Sequence, residues 1–305
     1  MLFDTTHITI DNLNAPPFKA HKIELMVARL DKIHPIVSGN KLFKLHYFLE
    51  EALLTKRPVV TFGGAYSNHL AATAYACRIA GLSSTGIVRG EEPGKLSATL
   101  ERCIQDGMKL VFVSRQEYAT MSTHITECPD SYRNPAVDEE SLVIPEGGYH
   151  PKGAKGASLI ADLTAGVGAH YIITAVGTAT TLAGILQKAA ADQQVIAIPV
   201  LKNISDINQR LLYLNEQAEY KNLHIWNDYH FGGYAKKTPE LIRFMNEIYS
   251  QYGLATDFVY TAKMLFAVID KIKNNFFPPG SRILCLHTGG LQGNQSLPGE
   301  QLFFN

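Results

Sequence analysis

The chain has no surplus of charge of either sign: Lys plus Arg and Asp plus Glu are each 28. Nothing in it would neutralise a polyphosphate backbone, so no nucleic-acid partner is expected. Cysteine is scarce. The four copies, Cys77, Cys103, Cys128 and Cys285, form no C-x-x-C pair. That removes the zinc-ribbon and thioredoxin readings, and no metal is expected. Four separate thiols fit a reducing compartment. The first residues, MLFDTTHITIDNLNAPPF, carry no basic run followed by an apolar one. No later stretch approaches the roughly 18 apolar residues that span a bilayer. No membrane contact and a cytoplasmic location are the expectations. Internal repeats and low-complexity tracts are also lacking.

What is present is a pattern. The 305 residues exceed the usual size of one compact domain, so two are expected. Apolar, β-branched runs at 59–62, 84–88, 109–114, 142–144, 171–176, 195–201 and 282–286 read as strands. Between and around them, 42–54, 67–80, 95–106, 154–164, 180–191, 206–217, 239–252 and 260–273 read as helices, with Gly81 a natural stop for the second. Such alternation predicts an α/β protein of two open, mainly parallel, twisted sheets with helices on both faces. The Gly-rich stretch 145–156 is the expected crossing between them. The irregular stretch 117–138 gives no element.

Three places share one design: a buried strand, then small residues, then a helix start. Ligands of open α/β sheets sit at the carboxyl ends of strands, and the first turn of a helix offers unpaired N–H groups to anions. The first place is Gly63-Gly64-Ala65-Tyr66-Ser67-Asn68-His69. It can bind a carboxylate, or Ser67 and Asn68 can simply cap a helix. The second is Val176-Gly177-Thr178-Ala179-Thr180-Thr181-Leu182-Ala183-Gly184. It can cradle a phosphate, or be a tight turn with Thr caps. It has neither the Lys of a P-loop nor the dinucleotide spacing, so neither NTP nor NAD is implied. The third, His287-Thr288-Gly289-Gly290, admits a planar ligand or is only a turn. A lysine completes the set. Lys41 follows Ser38-Gly39-Asn40 at a helix start, where the positive dipole end favours a neutral amine. A neutral amine is what carbonyl chemistry requires, although most such lysines are solvated. Lys44, three residues on, is the rival on the same face.

Together, SGNKLFKL (38–45), FGGAYSNH (62–69), GTATTLAG (177–184) and HTGG (287–290) resemble the motifs of the 1-aminocyclopropane-1-carboxylate (ACC) deaminase and D-cysteine desulfhydrase family. This is a pyridoxal 5′-phosphate (PLP) family of the tryptophan synthase β-subunit fold type. Arg29-Leu30-Asp31 with His34-Pro35 resembles its lead-in to the lysine, and the motifs run in order over nearly the whole chain. The resemblance implies a large PLP-binding domain from 1–45 and 153–305, and a small α/β domain from 46–152. It implies that Lys41 holds the cofactor covalently and later moves the substrate proton. Asn68 would bond the cofactor's 3′-oxygen. Ser67, with Asn68 and His69, would take the substrate carboxylate. Gly177, Thr178, Ala179, Thr180 and Thr181 would bind the phosphate. Tyr234 and Tyr260 would be the active-site tyrosines, and Thr261 and Thr288 would lie against the cofactor. The family also implies a homodimer and a small amino-acid substrate.

Two departures bear on the reaction. Cyclopropane deaminases carry Glu facing the pyridine nitrogen where this chain has Thr261, and Leu where it has Thr288. A neutral hydroxyl there leaves PLP a weaker electron sink, which suits β-elimination from an activated substrate. D-Cysteine desulfhydrase-like chemistry is therefore expected, giving pyruvate, sulfide and ammonia. The alternatives are ring opening of ACC to 2-oxobutanoate and ammonia, and a non-catalytic binder of PLP or another phosphometabolite. Ala179 stands where Gly is usual, which is harmless if its φ is negative.

Overall fold

The computed structural model describes residues 4–34, 39–127, 140–297, 299 and 301–304. Ser38, Pro35, Cys128 and the 128–138 part of the irregular stretch lie outside these. In chain order the elements are β1 (Ile10–Leu13), α1 (Pro16–Ala20), β2 (Glu24–Arg29), α2 (Asn40–Thr55), β3 (Val59–Gly63), α3 (Asn68–Ala80), β4 (Ser84–Arg89), α4 (Ala98–Gln105), β5 (Met108–Val113), α5 (Arg115–Glu127), β6 (Leu142–Ile144), α6 (Pro151–Thr164), β7 (Tyr171–Val176), α7 (Thr180–Lys188), β8 (Gln194–Pro199), α8 (Ile207–Asn215), β9 (Leu223–Ile225), α9 (Pro239–Tyr252), α10 (Thr261–Lys273) and β10 (Arg282–His287).

These strands form two sheets, as expected for an α/β chain of this pattern. One has six strands in the order β1-β2-β10-β7-β8-β9, the other four in the order β5-β4-β3-β6. Every pairing is parallel except β1 with β2 at an edge. Parallel strands need both faces covered, and the period-2 alternation shows how. On the six-stranded sheet, Met26, Ile172, Val195 and Leu284 point to one face and pack with Leu45, Leu182 and Leu211 of α2, α7 and α8. Leu25, Ile173, Ile196 and Ile283 point to the other and pack with Phe18, Ile248 and Leu265 of α1, α9 and α10. On the four-stranded sheet, Phe62 and Ile87 meet Tyr118 and Ile125 of α5. Val88 and Met108 meet Leu70 and Leu100 of α3 and α4.

Local chemistry sets several ends. Gly81 caps α3 in the left-handed region at φ 67°. Helix α4 starts later than the sequence predicts because Ser97 Oγ accepts from Leu100 N at 3.2 Å. Strands β1, β2 and β9 and helices α1 and α5 are not among the predicted elements. The two edge strands are only 4 and 3 residues long. Helix α5 covers the irregular stretch as far as 127, and it buries Tyr118, Met121 and Ile125. No helix of the described residues is long and apolar enough to cross a membrane.

Candidate active site

The cavity of interest opens at the carboxyl ends of β7 and β10. Asn40, Lys41, Lys44, Gly147, Gly177–Leu182, Tyr260 and Thr288 line it. Three sequence segments separated by more than a hundred residues meet here. Gly39 makes the meeting possible. Its φ is 88°, and a Cβ on it would fall 2.0 Å from the Thr288 carbonyl oxygen. Only glycine permits both that conformation and that approach. Asn40 N then donates to Thr288 O at 3.3 Å, and helix α2 begins.

Lys41 is the second residue of α2. Its Nζ donates to Asn40 Oδ1 at 2.8 Å. It also lies 5.8 Å from the centroid of the Tyr260 ring. Burial brings its amine down to about 8, against the opposing pull of the Asp257 carboxylate. On the order of a tenth of it is then neutral at pH 7, far more than for an ordinary lysine. Lys44, one turn on, is buried, and its Nζ donates to Gly147 O at 3.2 Å. Burial, and then the Lys41 charge, push it well below the ordinary lysine range. No carboxylate forms an ion pair with either lysine among the described residues.

Facing them is the start of α7. No side chain caps it, and no acidic residue occupies its first turn. The N–H groups of Thr180, Thr181 and Leu182 therefore lack intrahelical acceptors. Thr181 Oγ1 accepts from Asn40 Nδ2 at 2.6 Å, and Thr178 and Thr180 share a hydroxyl contact of 2.8 Å. Arg210 Nη1 donates to Gly177 O at 2.9 Å and braces the loop from outside. Ala179 has φ 64°, in the left-handed region. The sequence-based condition of a negative φ is thus not met, and the methyl group sits in a strained conformation that glycine would relieve.

The corner after β3 is built differently. Ser67 Oγ accepts from Leu70 N at 3.2 Å and caps α3. The N–H groups of Asn68 and His69 remain without intrahelical acceptors. Asn68 Oδ1 is buried with no partner, and its Nδ2 reaches only 3.5 Å from Gly290 O. The His69 ring is turned away from the cavity. Its Nε2 lies 2.8 Å from Thr61 Oγ1, which donates to Ile144 O at 2.9 Å. Burial holds this imidazole near 3, so it is neutral. Any role of His69 toward a substrate is confined to its backbone N–H.

Tyr234 and Tyr260 come together, with ring centroids 6.1 Å apart, and their hydroxyls interact. Lys263 holds the loop that carries Tyr234. Its buried Nζ donates to His230 O at 2.9 Å and Gly233 O at 2.8 Å. Thr261 does not line the cavity. Its Oγ1 donates to Asp257 Oδ1 at 2.7 Å and accepts from Asp257 N at 2.8 Å. Asp257 also accepts from the backbone N–H groups of Val259, Tyr260 and Thr261. A fully buried carboxylate is thereby satisfied at the start of α10. The sequence reading did not single out Asn40, Gly147, Arg210, Asp257 or Lys263. Asn40, Gly147, Arg210 and Lys263 act through partners remote in sequence, while Asp257 caps its own turn through a loop that shows no local period.

Two buried lysine amines opposite an uncapped helix start form a site rich in donors and, among the described residues, without an acidic partner. A phosphate-bearing aldehyde fits it: the phosphate balances Lys44 and the α7 N–H groups, and the aldehyde meets the Lys41 amine. Asn68 Oδ1, outside the lining of this cavity, is a further buried polar atom without a partner. The comparisons agree. The profile of the pyridoxal-phosphate dependent enzymes matches residues 4–289. The chain is 29% identical to a putative ACC deaminase of Pyrococcus abyssi, over 89% of this chain and 86% of that one. It is 29% identical to a D-cysteine desulfhydrase of Salmonella choleraesuis, over 88% and 87%. A crystal structure of an ACC deaminase homologue superposes with a TM-score of 0.76 at 24% identity, covering 96% of this chain and 92% of that one. Motifs, fold and cavity thus agree with the profile, and the chain belongs to the pyridoxal-phosphate dependent enzyme family, with PLP as its cofactor.

Proposed function

We propose that this chain catalyses β-elimination and deamination of a small amino acid, with D-cysteine giving pyruvate, sulfide and ammonia as the reference reaction. The observation that carries the reading is Lys41: an amine brought to about 8 by burial, one residue from an asparagine that ties it to the phosphate cradle. When bound, PLP supplies an electron sink for charge developing at the substrate's α-carbon. The residues of the chain supply the rest. Lys44, Thr178, Thr180, Thr181 and the N–H groups of α7 hold the phosphate. The N–H groups of Asn68 and His69, with the Ser67 hydroxyl, hold the substrate carboxylate at the start of α3. Asn68 places its unpartnered Oδ1 toward the ligand. Lys41 Nζ takes the α-proton, for which its lowered basicity suits it near neutral pH. The Tyr260 hydroxyl, kept protonated by burial, donates toward the departing group, with Tyr234 fixing its orientation.

Relatives carry both names, so the choice between elimination and ring opening rests on the site. Position 261 has a hydroxyl rather than a carboxylate, and the Asp257 carboxylate behind it is already taken by four donors. Among the described residues no carboxylate lines the cavity to hold a pyridine proton, which favours an activated leaving group over a strained ring. The test is product analysis of the PLP-loaded enzyme with D-cysteine and with ACC in parallel. Sulfide and pyruvate from D-cysteine are expected. Production of 2-oxobutanoate from ACC alone would replace this reading with ring opening. Retained PLP without any turnover would replace it with a binding role.

A further inference from the structure

One cation near the site has no part in the reaction as described. Arg89 is the exposed last residue of β4, at the carboxyl end of a strand that pairs with β3. Its guanidinium carbon lies 5.4 Å from the centroid of the Tyr118 ring, a cation–π contact that fixes its position. A Cβ on Gly64 would come within 3.4 Å of its Nη2. The guanidinium therefore rests along the Gly63–Ser67 corner, beside the helix start assigned to the substrate carboxylate. It is also close enough to Tyr234 to act electrostatically on that hydroxyl. Tyr234 packs on Tyr260, and the Tyr260 ring lies 5.8 Å from Lys41 Nζ. Tyr234 thus feels the Arg89 charge on one side and packs on Tyr260, beside Lys41, on the other.

The charge of Arg89 is uncommitted. It makes no ion pair among the described residues. Glu91 and Glu92 follow it in the chain and do not pair with it. The carboxylate beside its Tyr118 platform, Glu146, is engaged by that ring's hydroxyl, which donates to Oε2 at 2.8 Å. A guanidinium held on an aromatic face with its N–H fork free is a receptor for a planar or tetrahedral oxyanion.

We propose that Arg89 is a specificity-determining residue that receives a second anionic group, carried on the β-substituent of the substrate. This rests on the proposed elimination and names its substrate class: small amino acids whose β-substituent is a sulfate or phosphate monoester, anionic before the Cβ–O bond breaks. The α3 corner takes the α-carboxylate and Arg89 takes the leaving anion. For serine O-sulfate the balance is simple. The Cα–H proton passes to Lys41, and the Cβ–O bond breaks with its electron pair leaving on sulfate. Water then supplies the keto oxygen of pyruvate as the nitrogen leaves as ammonium. A cysteine thiol, only partly ionised at neutral pH, would use this subsite less well.

The test compares serine O-sulfate with β-chloroalanine, each as D and L forms, on PLP-loaded wild type, Arg89→Gln and Arg89→Lys. The ratio of kcat/KM for the sulfate over that for the chloride is expected to fall about 10- to 100-fold in Arg89→Gln and to be partly restored in Arg89→Lys. A second readout is binding. Aspartate and alanine are titrated against the visible band of the holoenzyme, and the preference for aspartate should vanish in Arg89→Gln. A ratio and a preference that ignore Arg89 overturn the subsite while leaving elimination intact. An aspartate preference that depends on Arg89, with no elimination from either substrate, supports the subsite and overturns the proposed reaction.

Discussion

The two strand-to-helix corners look alike in sequence and differ in structure. At the start of α3, Ser67 caps its own helix, leaving two N–H groups and no lysine in the first turn. At the start of α7, Ala179 stands in the cap position without a side-chain acceptor, and two lysines from α2 share its cavity. The first corner has room for one modest negative charge. The second is open, and a dianion there would be met by free N–H groups and would favour the protonated form of both lysines. What a helix start can bind is set as much by whether its cap is already filled, and by which cations the fold brings opposite, as by the helix itself.

The sharpest way to break this comparison is to remove the cations at the second corner. Lys41→Ala should lower turnover by roughly 10⁴-fold or more, since it deletes the proposed anchor and base together. PLP should still associate, held at the phosphate end. Lys44→Met should raise the PLP dissociation constant about 10- to 100-fold, the worth of a charge-assisted hydrogen bond. The melting temperature of the PLP-free protein should not fall with it, because a buried amine held by one long hydrogen bond and no carboxylate is replaced by an apolar side chain. Absorbance titration and thermal melts check both. If Lys44→Met binds PLP as wild type does, the second corner is not the phosphate site.

A pH series tests the same charges without ligand. The Lys41 amine titrates at about 8 in the folded protein, against 10.5 ordinarily. Between those values the unfolded chain binds more protons, so the stability of the PLP-free protein should rise with pH there, the full penalty lying below 8. Lys44 and Lys263 are shifted in the same direction. From pH 8 to 9.5, wild type should gain up to about 2 kcal/mol relative to Lys41→Met in urea unfolding. A parallel course for the two proteins would deny that Lys41 is depressed. At the first corner, Ser67→Ala should cost about 1 kcal/mol of stability through the lost cap and raise KM. The smallest effect is expected from Ala179→Gly. It should stabilise by about 0.5 kcal/mol, the left-handed strain relieved being partly offset by a freer unfolded chain.

Much of the fold was legible because parallel strands buried on both faces read as apolar runs. The 171–176 prediction coincides with β7, and Gly81 ends α3 as expected. The short edge strands β1 and β9 were not legible, since three or four residues do not make a period. In the site, Lys41 could be placed at a helix start, and the Gly-Thr loop at another. The orientation of His69 and Thr261 could not be read. Each turns its side chain toward a fully buried partner, Thr61 in the neighbouring strand and Asp257 in the capping turn, rather than toward the cavity. Lys44 meets Gly147 across 103 positions, and Arg210 meets Gly177 across 33. Local pattern carries no trace of such pairs.

The most direct test of the account is to reduce the PLP-loaded protein with borohydride, following its visible absorbance, and to map the modified lysine by mass spectrometry. A visible band that bleaches on reduction is expected, with the cofactor fixed on Lys41. Label on Lys44 or Lys263, or no band after PLP is added, would contradict it.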